Sequence, residues 1–214
     1  MDSERRSLVV VSAGLRQPSS TRLLADRLTA ASERRMREAG LEPAVTVVEL
    51  REHAHDLTNH LLTGFPSPAL QEAIDAVTAA DGLIAVTPIF NASYSGLFKT
   101  FFDVVERDGL SGVPVVLGAT GGSARHSLAL DHAMRPLFAY LNAAVVPTAV
   151  YAASEDWGQA ALPADASLVA RIDRAAAELV AAIRSRPPRR RPDPFVDPEP
   201  FEELLRSLDR PPRD

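Results

Sequence analysis

The chain has 214 residues, 24% of them charged, with a formal net charge of -5 and no cysteine. The missing thiol excludes disulfides, thiolate metal sites and cysteine nucleophiles, and the slightly acidic balance gives no general electrostatic case for nucleic acid. No run approaches the ~18 uninterrupted apolar residues of a membrane helix, and "MDSERRSLVVV" has neither the length nor the cleavage site of a signal peptide, so a cytoplasmic globular chain is expected.

The first apolar, β-branched run, "LVVVSA" at 8 to 13, reads as a strand buried on both faces. It feeds the loop "SAGLRQPSSTRLL" and a helix over about 20 to 39. Ser19, Ser20 and Thr21 stand at that helix start, where free N–H groups and the dipole favour an anion, and Arg16 adds a fork matched to phosphate oxygens. An ordinary Ser/Thr helix cap beside a surface arginine accounts for the same residues. G-x-G-x-x-G is absent here, Lys99, the only lysine, has no Walker glycine before it, and a phosphatase loop lacks its thiolate.

"VTVVEL" at 45 to 50 is the second strand, and Ser67-Pro68 opens a helix over 68 to 80. "LIAVT" at 83 to 87 is the third strand. It runs into "TPIFNASYSGLFKTFFD", a turn of small polar residues at a strand end, followed by a helix over 95 to 108 with Leu97, Phe101 and Val104 or Val105 inward. Lys99 and Asp103, four apart on it, read as a surface ion pair. "VPVVLGAT" at 113 to 120 precedes "GGSARH" and a helix over 127 to 141. "AAVVPTAVY" at 143 to 151 is the fifth strand, and Leu168, Ile172, Leu179 and Ile183 mark a helix over 165 to 185. Five βα units predict an α/β, doubly wound, flavodoxin-like five-stranded parallel sheet in the order 2-1-3-4-5, with helices on both faces and the ligand crevice where strand order reverses.

Residues 1 to 186 form that domain. Residues 187 to 214, opening "PPRRRPDPFVDPEP", read as a Pro/Arg-rich linker ahead of a short apolar pattern at Phe201, Leu204, Leu205 and Leu208. His53, His55, His60 and His132 lack metal spacing, and no metal site is assigned.

"GLRQPSST" resembles the phosphate loop of the NADPH-dependent FMN reductase family. "TPIFNASYSGLFKTFFD" is similar to that family's T-P-x-Y-N-x-S-x-P-G segment, and "GATGGSARH" to its later glycine loop. The resemblance implies FMN as cofactor and NADPH or NADH as reductant. Arg16, Ser19, Ser20 and Thr21 would take the phosphate, Pro88, Ile89, Phe90, Asn91 and Ser93 the isoalloxazine, and Thr120, Gly121 and Gly122 its polar edge, with Ser12 also among the cofactor-binding residues. No catalytic side chain is implied, because the cofactor carries the chemistry. A homodimer or homotetramer is implied, and "GATGGSARHSL" resembles the members that supply reduced flavin to a monooxygenase. Quinone or azo reduction, or a flavodoxin-type electron carrier, is the alternative. Phe90 stands where tyrosine is common. Ser95 stands where proline usually precedes Gly96, which predicts a less rigid turn.

Overall fold

The computed structural model describes residues 4–157 and 167–189. β1 (Glu4–Ser12) lies between β2 (Leu41–Glu49) and β3 (Gly82–Phe90), parallel to both. β4 (Ser93–Tyr94) folds back antiparallel onto the end of β3. β5 (Pro114–Gly121) pairs in parallel with the far side of β3, and β6 (Ala144–Val145) and β7 (Val150–Ala153) both pair in parallel with β5.

The main path is β2-β1-β3-β5-β6, in a sheet of seven strands rather than the five expected. Two local causes account for the correction. The segment after β3 makes a hairpin where only a loop is expected. The run at 143 to 151 is split at Pro147, which has no N–H to give to a ladder.

Side chains alternate across the buried strands into two cores. Val9, Val11, Leu83, Ala85, Val115 and Leu117 enter one, and Leu8, Val10, Ile84, Val86 and Val116 enter the other. The α-helices among the described residues are α1 (Ser20–Glu38), α2 (Ala54–Thr63), α3 (Pro68–Thr78), α4 (Gly96–Asp103), α5 (Arg135–Tyr140) and α6 (Leu168–Arg184). α2 to α5 cover the first core, and α1 and α6 the second.

α2 has no counterpart in the sequence reading because it buries only Leu57, leaving Leu61 and Leu62 outside and no apolar stripe to detect. The helix expected over 127 to 141 is also corrected. A 3₁₀ turn (Ala124–His126) and a π-turn (Leu130–Met134) precede the short α5. Pro136 lacks an N–H, and its ring would press on the carbonyl of His132 in a regular α-helix; the wider π-turn relieves that crowding.

In α1 the hydroxyl of Ser32 is fully buried and has no hydrogen-bond partner among the described residues. Ser32→Ala removes a desolvated polar group and improves helix propensity, so stability is expected to rise by about 1 kcal/mol. The urea midpoint of the variant reads this directly.

The feet of the strands carry a buried ion pair. Arg6 and Asp81, whose side chains are 4% and 6% exposed, meet at 3.4 Å. Asp81 also accepts from Ser7 N and from Arg189 N, both at 2.7 Å, while Arg6 donates to the Arg186 carbonyl at 2.8 Å. The chain leaving α6 is therefore fastened beneath β1 and β3. Residues 190–214, which include most of the expected appendage and its apolar pattern, lie outside the described residues.

Candidate active site

Because β1, β3 and β5 are parallel, the segments after them emerge at one edge. Strand order reverses between β1 and β3, which opens a crevice there. Ser12, at the end of β1, is buried, and the next residue donates from Ala13 N to Val86 O at 2.9 Å, holding the first loop against β3.

The first loop turns into α1 at Ser19, whose Oγ accepts from Arg22 N at 3.2 Å as an N-cap. The bland capping reading of Ser19 is thus true, and it coexists with an open first turn. The Ser20 and Thr21 N–H groups are first-turn donors without an intrahelical acceptor, and the Ser20 side chain is exposed. Gly14 makes the turn possible: a Cβ there would stand 2.2 Å from Ser19 Oγ and 3.3 Å from Thr21 Cβ. Arg22 points elsewhere, to Asp26 at 2.7 Å and to Glu49. Arg16 is exposed and enters no ion pair among the described residues, so it is the guanidinium in this loop left to meet an anion.

The second segment is the β3–β4 hairpin. Pro88 and Ile89 are half-buried, Phe90 is 47% exposed, and Ser93 pairs with Phe90 across the turn. Asn91 and Ala92 form its two-residue tip with φ of 47° and 68°. Two left-handed residues give the turn whose twist matches a tight hairpin, a position that suits asparagine and strains alanine. Ala92→Gly is expected to stabilise the protein by about 0.5–1 kcal/mol, after the entropy that glycine adds to the unfolded chain. A rise of a few degrees in Tm checks it.

Ser95 corrects the expectation of a loose turn. It is 1% exposed, caps α4 by accepting from Phe98 N at 3.3 Å, and donates its own N–H to Thr87 Oγ1 at 3.0 Å. Proline could make neither bond. Lys99 and Asp103 form the expected surface ion pair on α4.

The third segment leaves β5. Thr120 is buried, and its Oγ1 lies 2.8 Å from Thr21 Oγ1, so the end of β5 and the start of α1 are joined. At Gly121 a Cβ would fall 2.0 Å from the Tyr151 hydroxyl, which donates to Ser123 O at 2.9 Å. Burial, aided by Glu155 and Asp156, raises the Tyr151 phenol above its ordinary range, which keeps it a donor. At Gly122 a Cβ would meet nothing within 4 Å, so that backbone faces open space. Arg125 and His126 are exposed in the 3₁₀ turn that follows.

Thr21 and Thr120 are therefore in contact with each other, Ser19 with its own helix, and the remaining predicted residues ring the same edge. Sequence reasoning passed over Gly14, although a glycine directly before the hydroxyl cluster is a signal for close packing. It also passed over Tyr151, which carries no local signal because its partner, Ser123, lies 28 residues earlier in the loop after β5. A cavity of about 750 Å³ lies beside the hairpin between α4 and α5, lined in part by Tyr94, Lys99, His132 and Tyr140.

A parallel sheet wound both ways from β1, with a helix N-terminus opening on the reversal point, is a flavodoxin-like fold of the kind that binds mononucleotides at that edge. The chain belongs to the NADPH-dependent FMN reductase family, whose model matches residues 7–158. It is 42% identical over 152 residues to the NADH-dependent FMN reductase SfnF of Pseudomonas putida, covering 71% of this chain and 80% of that protein. It is 36% identical over 178 residues to an NADPH FMN reductase of Pseudomonas aeruginosa, covering 82% and 91%. The crystal structure of an oxidoreductase from Corynebacterium diphtheriae superposes with a TM-score of 0.82 at 46% identity, over 86% of this chain and 100% of that one.

Proposed function

We propose that the chain is an NAD(P)H:FMN oxidoreductase whose flavin lies across the crevice between β1 and β3. The observation that carries this reading is the meeting of three separate segments at one edge, fixed by the Thr21–Thr120 and Ala13–Val86 bonds. The residues suit the ligand. An open helix start and the unpaired Arg16 supply an anion site, and the bare backbone at Gly122 lets a flat ring come close.

Arg16, the Ser20 hydroxyl and the Ser20 and Thr21 amides would hold the phosphate, with Ser12 and Ser19 shaping the turn around it. Pro88, Ile89, Phe90, Asn91 and Ser93 would lie along the isoalloxazine, and Thr120, Gly121 and Gly122 would border its polar edge. Bound FMN supplies the redox chemistry by taking a hydride from NADPH or NADH. The protein supplies orientation: the hairpin fixes the ring plane, and the glycine backbone offers donors at the ring edge. Phe90, half-exposed on the hairpin, gives an apolar surface beside the face where the nicotinamide would stack.

The hand-over of reduced flavin to a monooxygenase belongs to the same proposal, supported by a ligand edge that is open rather than enclosed. So does a homodimer or homotetramer. Tyr140, 63% exposed at the α4–α5 cavity, offers it an apolar contact. Among the described residues no helix is long and apolar enough to cross a membrane, and the cytoplasm is the proposed location.

Anaerobic mixing of the protein with FMN and either pyridine nucleotide tests the activity: the flavin absorbance should bleach within seconds. Binding without bleaching would overturn it. Arg16→Ala is expected to weaken FMN about tenfold, the worth of one charge-assisted hydrogen bond, and to leave riboflavin nearly unchanged. Titrations of the two flavins side by side give the ratio.

A further inference from the structure

The two hydroxyls expected at opposite ends of the ligand are spent on each other. Thr21 Oγ1 and Thr120 Oγ1 are 2.8 Å apart, on residues 2% and 4% exposed and 99 positions apart in sequence. With both residues this buried, the hydrogen-bond partner of each hydroxyl among the described residues is the other, and the pair ties α1 to the end of β5. Thr21 is the second residue of α1, and Thr120 is followed at once by the glycine turn. A second fastening stands just beyond, where Tyr151 occupies the Cβ position of Gly121 and bonds the Ser123 carbonyl. The glycine turn is thus held between two clamps, one of which is the helix that opens the anion site.

We propose that Thr21 and Thr120 are positioning residues that act as one latch, setting the separation between the phosphate site and the glycine turn. This rests on the flavin reading above, and it reassigns two hydroxyls from ligand contact to ligand geometry, leaving the Thr21 amide in the anion site. A hydroxyl that touches phosphate matters only when phosphate is present. A latch matters to any ligand that spans both sites or leans on the turn, and its two halves are worth nothing apart.

The test is a double-mutant cycle with Thr21→Val and Thr120→Val, which keep shape and remove the hydroxyls, read by titration with FMN and with riboflavin. Each single variant is expected to weaken both flavins by a similar factor, about tenfold, and the double variant to be no weaker than either single. Thr21→Ser and Thr120→Ser, which keep the hydroxyl, should bind within about twofold of the parent. Loss of FMN affinity alone in Thr21→Val, or losses that multiply in the double variant, would overturn the latch and make Thr21 a direct phosphate ligand. Melting of the flavin-free protein judges the latch separately. Each single leaves one buried hydroxyl unpaired and should lower Tm by several degrees, and the double should recover most of that loss. Additive Tm losses would overturn it. A parent protein that binds neither flavin would instead overturn the flavin reading, leaving the latch to stand or fall on its melting cycle.

Discussion

Phe98→Ala is expected to cost about 3–5 kcal/mol of folding stability, the range for emptying an aromatic site in a packed core. Phe98 is fully buried, with its ring centroid 4.8 Å from Phe102, 5.9 Å from Tyr94 and 6.2 Å from Phe138. Phe101 and Phe102 extend the cluster, so α4, only eight residues long, is held almost entirely by rings. The helix cannot persist on local propensity at that length. Its cap, Ser95, is also the residue that ties the hairpin to Thr87, so loosening α4 should disturb the ligand edge as well. Denaturant unfolding gives the stability change, and a loss under 1 kcal/mol would show that something other than the ring cluster holds α4.

Gly14→Val is expected to reduce FMN affinity by a factor of 100 or more. Its first side-chain carbon would stand 2.2 Å from Ser19 Oγ and 3.3 Å from Thr21 Cβ, and two further methyl groups add to that crowding. The turn must open, the N-cap is lost at about 1 kcal/mol, and the first-turn amides of α1 rotate away from a common anion. Gly122→Ala is the informative partner, since its added carbon meets no atom of the described residues within 4 Å. That variant should fold like the parent and lose affinity only if a ring approaches the backbone there. Fluorescence quenching of flavin on titration distinguishes the two. An affinity within threefold of the parent for Gly14→Val would remove the first loop from the site.

The parallel strands were legible because burial on both faces writes an unbroken apolar word, as in "LVVVSA" and "VPVVLGAT". The hairpin was not, because its two-residue return strand is too short to show an alternation and Ala92 is not a residue that announces a left-handed turn. The split of the last run turned on one proline inside an apolar stretch, a cue that was present and outweighed. At the edge proposed for the flavin, residue types and chain order pointed to three segments, which the fold brings to one end of the sheet. What the chain order could not convey was which hydroxyls face inward. Thr21 looks like Ser20 in a sequence, yet one is buried against β5 and the other open to solvent, a distinction made by helix phase and by a partner 99 residues away.

The fastening of Arg189 to Asp81 has a bearing on how the molecule can be handled. Asp81 directly precedes the nine residues of β3, and at about 3.3 Å per residue the strand carries the hairpin roughly 30 Å away. A bead, electrode or fused domain coupled at Arg189 itself therefore sits at the foot of the sheet, and the edge that carries the hairpin looks outward from the support.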